Sequence, residues 1–145
     1  MEKRIEIVNK IIEEIAKNGH HFFLNKSGNG ALGHFILQNK KLYYSDEWKG
    51  VACEVKRGMH WGDLKWVNHG GGLKEQIMIF AEFIFSGKKQ QLISMYWGYP
   101  FEDLKKIHQF AFDIGFCETN GFWRVNYENN KREYYPERVE MIDNG

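Results

Sequence analysis

The sequence predicts an α+β domain in which about three helices pack on a mainly antiparallel sheet. Apolar residues recur at helical spacing in three separate segments, and short alternating runs cluster around residues typical of tight turns. Clustered strands joined by tight turns favour antiparallel pairing, whereas a parallel doubly wound sheet requires a regular alternation of strands and helices that is absent here. With 145 residues, we expect a single domain, 1–145, large enough to bury a core.

The three helices are predicted at residues 3–18, 73–86 and 101–114. Each carries an apolar stripe at helical spacing, and a glycine follows each as a C-terminal stop. The second segment is apolar on most sides, so we expect it to be largely buried, with Phe80 on its core-facing stripe. The glycines that follow the helices are Gly19, Gly87 and Gly115.

Strands are predicted where apolar and polar residues alternate between turn residues. Asn39-Lys40 and Asn129-Asn130 are expected to form tight turns, because asparagine tolerates positive φ. The last of these turns joins the two strands of a C-terminal hairpin. The other predicted strands lie at residues 22–24, 32–37, 41–44, around 51–55, and 92–97.

Composition excludes several classes of function. The chain is 43% hydrophobic and 16% aromatic, which argues against disorder, and its 20 basic and 19 acidic residues give no overall field that favours nucleic acid. It contains neither an apolar run long enough to span a membrane nor a signal-peptide pattern, so we expect a cytoplasmic protein. Cys53 and Cys117 have no CxxC spacing, and two buried or half-buried thiols are expected.

The segment VNHGGGLKEQIMIF, residues 67–80, places three glycines at the mouth of a predicted helix. The first N–H groups of a helix have no partner within it and carry partial positive charge. Bare glycine N–H groups at Gly70, Gly71 and Gly72, with Lys74 in the first turn and His69 beside them, would form a cradle for a phosphate or carboxylate. The alternative is that the glycines only let the chain reverse next to Trp66.

The glycines also match two known catalytic or nucleotide-binding patterns, but the chain lacks the sequence context that each pattern requires. Residues 28–33 match G-x-G-x-x-G, but they lead into a strand-like run and not a helix, which favours a hairpin turn. The HGGG at residues 69–72 is similar to the oxyanion motif of esterases, yet the chain lacks the G-x-S-x-G nucleophile elbow that such an enzyme needs.

The six histidines show no metal-ligand spacing, so no metal and no cofactor are expected. Both cysteines lie in apolar settings, which disfavours a catalytic Cys–His pair. We expect no catalytic residue. One enzymatic alternative stays open, a small hydrolase or phosphodiesterase that uses His60 or His69 as general acid and base, with Asp63 orienting the ring.

The five tryptophans fall mostly next to glycine or in irregular segments, where binding surfaces collect aromatic residues. Such rings beside lysine or arginine could stack a base or clamp a partner protein, and the alternative is that they close the rim of the core. Trp61 and Trp66 lie nearest to the glycines, so we add them to the predicted binding site. The remaining three are Trp48, Trp97 and Trp123.

Residues 62–116 combine a tryptophan, a short gap, a Ser/Asn-His-Gly-Gly segment, a helix, and a WGY followed by a second helix. In these motifs the segment resembles a family of uncharacterised small proteins of phages and mobile elements. Asn68 stands where serine is commoner and Gly72 where threonine is commoner, and the missing threonine hydroxyl leaves the helix N–H groups freer for an anion. The matching positions are Trp66, His69, Gly70, Gly71 and Leu73.

The resemblance implies a biological context without a chemistry. Small mobile-element proteins often act by occupation, binding a host defence protein or sequestering its nucleotide signal. We therefore expect a non-catalytic inhibitor whose partner is a host protein or a phosphorylated small molecule. A homo-oligomer stays open.

Overall fold

The computed structural model describes residues 1–18, 23, 33–46, 51–64, 70–92, 101–126 and 128–135. These residues form three α-helices, one short 3-10 helix and five strands, and the α+β prediction is confirmed. In chain order the elements are α1 (Glu2–Lys17), β1 (Gly33–Gln38), β2 (Lys41–Asp46), β3 (Val51–Glu54), the 3-10 helix (Trp61–Asp63), α2 (Gly70–Ser86), α3 (Phe101–Asp113), β4 (Phe122–Asn126) and β5 (Lys131–Tyr135).

The strands form two antiparallel sheets. The first has the order β1-β2-β3, and the second is the β4-β5 hairpin. Asn39 and Lys40 connect β1 to β2 with φ angles of 53° and 64°, the left-handed conformation that a two-residue hairpin turn requires. Asn130 has a φ of 56° in the second hairpin. Both predicted turns are confirmed.

Glycines end α2 and α3, as predicted. Gly87 has a φ of 71°, and its N–H donates to the Phe83 carbonyl at 2.8 Å. Gly115 has a φ of 95°, and the N–H of Phe116 beyond it donates to the Ala111 carbonyl at 2.9 Å, the long bond of a Schellman motif. The corresponding stop after α1, Gly19, lies outside the described residues.

Helix α1 contacts β1, α2 and α3. Its apolar face is fully buried at Val8, Ile11, Ile12 and Ile15. A polar contact then fixes α1 to the sheet. The Asn9 carboxamide accepts the Phe35 N–H at 2.8 Å and donates to the Phe35 carbonyl at 2.9 Å, which covers the outer edge of β1.

Helix α2 supplies the aromatic centre of the core. Phe80 is fully buried, and its ring centroid lies 6.3 Å from that of Phe23, 6.4 Å from Phe35 and 5.5 Å from Phe116. These rings come from α2, β1 and the segments that precede β1 and follow α3. The core therefore joins distant parts of the chain around the predicted stripe of α2.

The structure differs from the sequence prediction at several positions. Helix α2 begins at Gly70, three residues before the predicted start. Trp123, by contrast, lies within β4 of the C-terminal hairpin, as the predicted hairpin requires. The predicted strand at 22–24 lies outside the described residues apart from Phe23, which is a buried bend, and that at 92–97 lies outside them beyond Leu92.

Candidate functional site

The three glycines form the first three residues of α2. Each glycine in a helix costs roughly 0.5–1 kcal/mol relative to alanine, because glycine loses more backbone freedom on ordering. The backbone is helical at all three, so the left-handed conformation that only glycine adopts easily is not needed there. What the glycines provide in a helix is a first turn whose N–H groups are not shielded by any Cβ.

Lys74 is the fifth residue of α2, which places it in the second turn and not, as the sequence predicts, in the first. It lies four residues after Gly70 and therefore on the same helix face. Side chains on a helix lean toward its N-terminus, so the lysine stem extends over a surface formed by glycine backbone. Lys74 is half-buried, which fits a stem that lies along the helix.

The remaining predicted site residues are only partly placed. Trp61 is the first residue of the 3-10 helix, and this element contacts α2. Leu64, which follows it, is fully buried and anchors the segment to the core. His69 and Trp66 lie outside the described residues. The 3-10 helix that contains Trp61 thus contacts α2, the helix that contains Gly70 to Lys74. The places of His69 and Trp66 in the site stay predictions.

The N-terminal turn of α2 differs in charge from the N-terminal turns of the other two helices. The first turn of α1 contains Glu2, and that of α3 contains Glu102 and Asp103, whose charges suit the positive end of a helix dipole. The first turn of α2, which is described, contains no acidic residue. The first turn therefore supplies no carboxylate to offset the partial positive charge of its N–H groups.

Asp63 acts on the backbone of the 3-10 helix. Its Oδ2 accepts the backbone N–H of His60 at 3.0 Å, and its own N–H donates to the His60 carbonyl at 2.9 Å. The side-chain bond is one half of a capping box, and the bond to the His60 carbonyl is the i to i+3 backbone bond of a 3-10 turn. The carboxylate that the hydrolase alternative assigns to the imidazole is therefore engaged with the main chain of His60.

Gly33, the last glycine of the G-x-G-x-x-G match, has a structural reason to be glycine. It is the first residue of β1, opposite Asp46, and a Cβ built on it would overlap the hydroxyl and ring of Tyr44. Tyr44 is buried beside Phe35, with ring centroids 5.2 Å apart. Gly28 to Leu32, the rest of the motif, lie outside the described residues.

His108 on α3 is a buried titratable residue that the apolar pattern did not predict. It is fully buried, and its ring stacks on that of Phe122 with centroids 4.2 Å apart. Among the residues that the structure describes, neither ring nitrogen has a hydrogen-bond partner. Burial lowers the pKa of His108 from 6.5 to about 3, because a charged imidazole cannot be solvated there. The residue is a neutral part of the core.

In the described part of the chain, both cysteines are at least partly buried. Cys53 is half-buried and Cys117 buried, as expected, and no disulfide joins these two described residues. Burial raises the pKa of Cys117 to about 11, despite a backbone hydrogen bond at Leu92 and the charge of Lys89, so the thiol is protonated at neutral pH. No group of three or more His, Cys, Asp or Glu side chains is placed to hold a metal ion within those ranges.

An open groove of about 450 Å³ lies along α3, and it contains none of the predicted site residues. Its lining mixes carboxylates, lysines and amides over the half-buried ring of Phe110. Several of these groups already bond to one another: Gln109 donates to Asp113 at 2.8 Å and accepts from Asn120 at 3.2 Å. The groove therefore offers few polar atoms that converge on a common point.

The described helices include none that is both long and apolar enough to cross a membrane.

Comparison with known proteins confirms the predicted phage context. The family model described as YoqU matches residues 1–135. The SPbeta prophage-derived uncharacterized protein YoqU of Bacillus subtilis (strain 168) is 33% identical over 119 residues, which cover 81% of this chain and 85% of the relative. No solved structure matches the chain. The matches extend well beyond residues 62–116, and they do not single out the tryptophan, histidine and glycine motif on which the resemblance was based.

Proposed function

Because this chain belongs to the YoqU family, which includes a prophage-derived protein, we propose that it is a non-catalytic binding protein that inhibits a host defence factor. It acts by occupation in the host cytoplasm, where it binds a host protein or sequesters a phosphorylated small molecule such as a nucleotide. The contact site is the N-terminal end of α2, Gly70 to Lys74, together with His69, Trp61 and Trp66.

The observation that carries this proposal is the glycine first turn of α2, Gly70 to Gly72. Three consecutive N–H groups without neighbouring side chains allow a phosphate or carboxylate to approach the backbone closely, and the helix dipole favours negative charge there. The first turn contains no acidic residue, and Lys74 lies on the same helix face as Gly70, so both features also favour the binding of an anion. Both kinds of partner present the same anionic chemistry.

The first test changes Gly71. Gly71→Ala should raise the free energy of unfolding by about 0.5–1 kcal/mol, because the residue is helical and alanine costs less to order. Gly71→Val adds a branched side chain at the helix mouth and should abolish binding of a nucleotide panel measured by calorimetry. If the valine variant stays folded and binds the panel as the wild type does, the cradle is not the site.

Lys74 provides a second, independent test. Lys74→Met retains the apolar stem and removes the charge, so it should weaken nucleotide binding most at low salt, where exposed charges interact most strongly. Lys88→Met, which removes the charge of an exposed lysine beyond the other end of α2, is the matched control and should bind normally. Equal binding by both variants at low salt would remove Lys74 from the site.

Mass spectrometry of the same incubations separates binding from turnover. Intact nucleotide that co-elutes with the protein supports sequestration, whereas a hydrolysed product would support the histidine-dependent enzyme instead. If the wild type binds no nucleotide, the protein-partner form of the proposal requires a host protein that co-purifies with the wild type and is lost with Gly71→Val. Retention of that protein by the valine variant would reject the site altogether.

A further inference from the structure

The β4-β5 hairpin has one face directed into the protein and one directed outward. Phe122 is 6% exposed and stacks on His108, which fixes the inner face to α3. The next residue, Trp123, is 42% exposed, and so is Tyr134, its direct cross-strand partner. Because successive strand residues point to opposite faces, these two aromatic side chains share the outer face. We call Trp123, Arg132 and Tyr134 the hairpin face.

Arg132 adds a positive charge to the hairpin face. Its guanidinium carbon lies 4.6 Å from the centroid of the Trp123 ring, a cation–π contact between diagonal neighbours on the two strands. A guanidinium over an aromatic ring keeps N–H groups at its edge that can bond a carboxylate. Glu133, the acidic residue of β5, alternates onto the inner face, so the two described strands place no carboxylate on the same side as Arg132.

We propose that the hairpin face is a second interaction surface, which docks a protein segment that presents a carboxylate beside apolar side chains. Tryptophan, tyrosine and arginine are the residues that most often dominate the binding energy of protein interfaces, because they offer large, stiff contact areas with a polar end. The two rings would cover the apolar side chains of the partner, and Arg132 would bind its carboxylate through two hydrogen bonds.

Charge distinguishes this partner from two others. Single-stranded nucleic acid binds where stacking rings lie along a groove with several cations, whereas the register places one basic residue and no acidic residue on this face. The whole chain has a formal net charge of only +1. A second copy of this chain meeting face to face would bring two Arg132 side chains together with no carboxylate between them.

The test uses short synthetic peptides in which one aspartate is flanked by leucine or phenylalanine, each with a matched asparagine version. Binding is followed through the NMR signal of the Trp123 indole N–H, which a spectrum of Trp123→Phe identifies. We expect aspartate peptides to shift this signal, and asparagine peptides to bind about tenfold more weakly, the size of effect expected for an important charged contact.

Two variants and a control locate the binding surface. Trp123→Ala should weaken aspartate-peptide binding about tenfold or more, measured by calorimetry. Arg132→Met keeps the aliphatic stem and should remove the preference for aspartate over asparagine, a readout that loss of folding does not imitate. Phe112→Ala removes an aromatic ring of similar exposure, 39%, from α3 and should leave binding unchanged.

Several results would overturn the proposal. These are equal affinity for aspartate and asparagine peptides, no binding of any peptide, or a loss with Phe112→Ala as large as that with Trp123→Ala. A shift of the Trp123 indole signal with an oligothymidine and not with the peptides would identify the face as a nucleic-acid platform. Self-association in sedimentation that Trp123→Ala abolishes would identify it as a dimer contact.

Discussion

Asn9 fixes helix α1 to strand β1 through both polar atoms of one side chain. Its carboxamide bonds both the N–H and the carbonyl of Phe35, which therefore face away from β2 and leave Phe35 and Tyr44 as a non-hydrogen-bonded pair. Side chains of such pairs approach closely, and the rings of Phe35 and Tyr44 are in edge contact. One polar residue thus sets the register between a helix and the edge of a sheet.

We predict that Asn9→Ala lowers the free energy of unfolding by about 1–3 kcal/mol, because it leaves two partly buried backbone groups without partners. Asn9→Asp should also destabilise, since a carboxylate still accepts from the Phe35 N–H but repels the Phe35 carbonyl. Urea denaturation measures both. Lys10→Ala breaks only the exposed pair with Glu6 at 3.3 Å and should change stability by less than about 0.5 kcal/mol. An Asn9→Ala protein as stable as Lys10→Ala would contradict the contact.

Helix α2 has an N-terminal turn that is unfavourable to form, followed by residues that are mostly buried. Its three glycines disfavour helix formation at the N-terminus, whereas the residues from Leu73 onward are held by contacts with the core. At the other end, Arg4 Nε donates to the Ile84 carbonyl at 2.8 Å and satisfies one of the last backbone acceptors. The helix is therefore stabilised by its packing and its C-terminus, and its N-terminal turn contributes little.

The buried stripe of α2 makes Phe80→Ala strongly destabilising. Removing this ring leaves a cavity between the rings of Phe23, Phe35 and Phe116, and we expect a loss of about 3–5 kcal/mol in the free energy of unfolding. Phe112→Ala, on the exposed side of α3, is the control and should shift the denaturation midpoint far less. Similar midpoints for the two variants would mean that Phe80 is not the centre of the core.

For the whole molecule, His108 couples stability to pH. Its pKa is about 3 in the folded protein, below the 6.5 of an unburied histidine, so above pH 6.5 the ring is neutral in both states. Between pH 6.5 and 3 the unfolded chain binds a proton that the folded protein does not. The free energy of unfolding therefore falls as the pH is lowered through this range. One unit of difference in pKa corresponds to about 1.4 kcal/mol, so the contribution amounts to several kcal/mol at the acid end.

His108→Phe removes this titration and the two ring nitrogens while keeping a ring to stack on Phe122. We predict a protein at least as stable as the wild type at neutral pH, because replacing unpartnered buried polar atoms with apolar ones of similar shape is neutral or favourable. Its free energy of unfolding should also fall less steeply between pH 6.5 and 3. Urea titrations across that range measure both effects. An unchanged slope would show that His108 is not the residue responsible.

Features that depend on local backbone chemistry could be predicted from the amino-acid sequence. Gly87 and Gly115 end their helices, and Asn39 with Lys40 forms the turn of the first hairpin. All four residues have a positive φ, which glycine and asparagine adopt readily and which helix ends and short hairpin turns require. The burial of Phe80 could also be predicted, because apolar residues at helical spacing lie on one face of a helix and that face packs on the core. Most of the α+β architecture, and the glycine segment as a candidate site, could be predicted in this way.

Features that depend on which residue lies opposite another could not be predicted, because they arise when the chain folds. Gly33 is glycine because the Tyr44 ring occupies the space of a Cβ, Asn9 is polar because the edge of β1 faces it, and His108 is buried because Phe122 covers it. The start of α2 at Gly70 is another such feature. Glycine disfavours a helix, so the sequence predicts that the helix begins after the three glycines, whereas in the folded protein it includes all three. No spacing along the chain encodes a neighbour that comes from a distant segment.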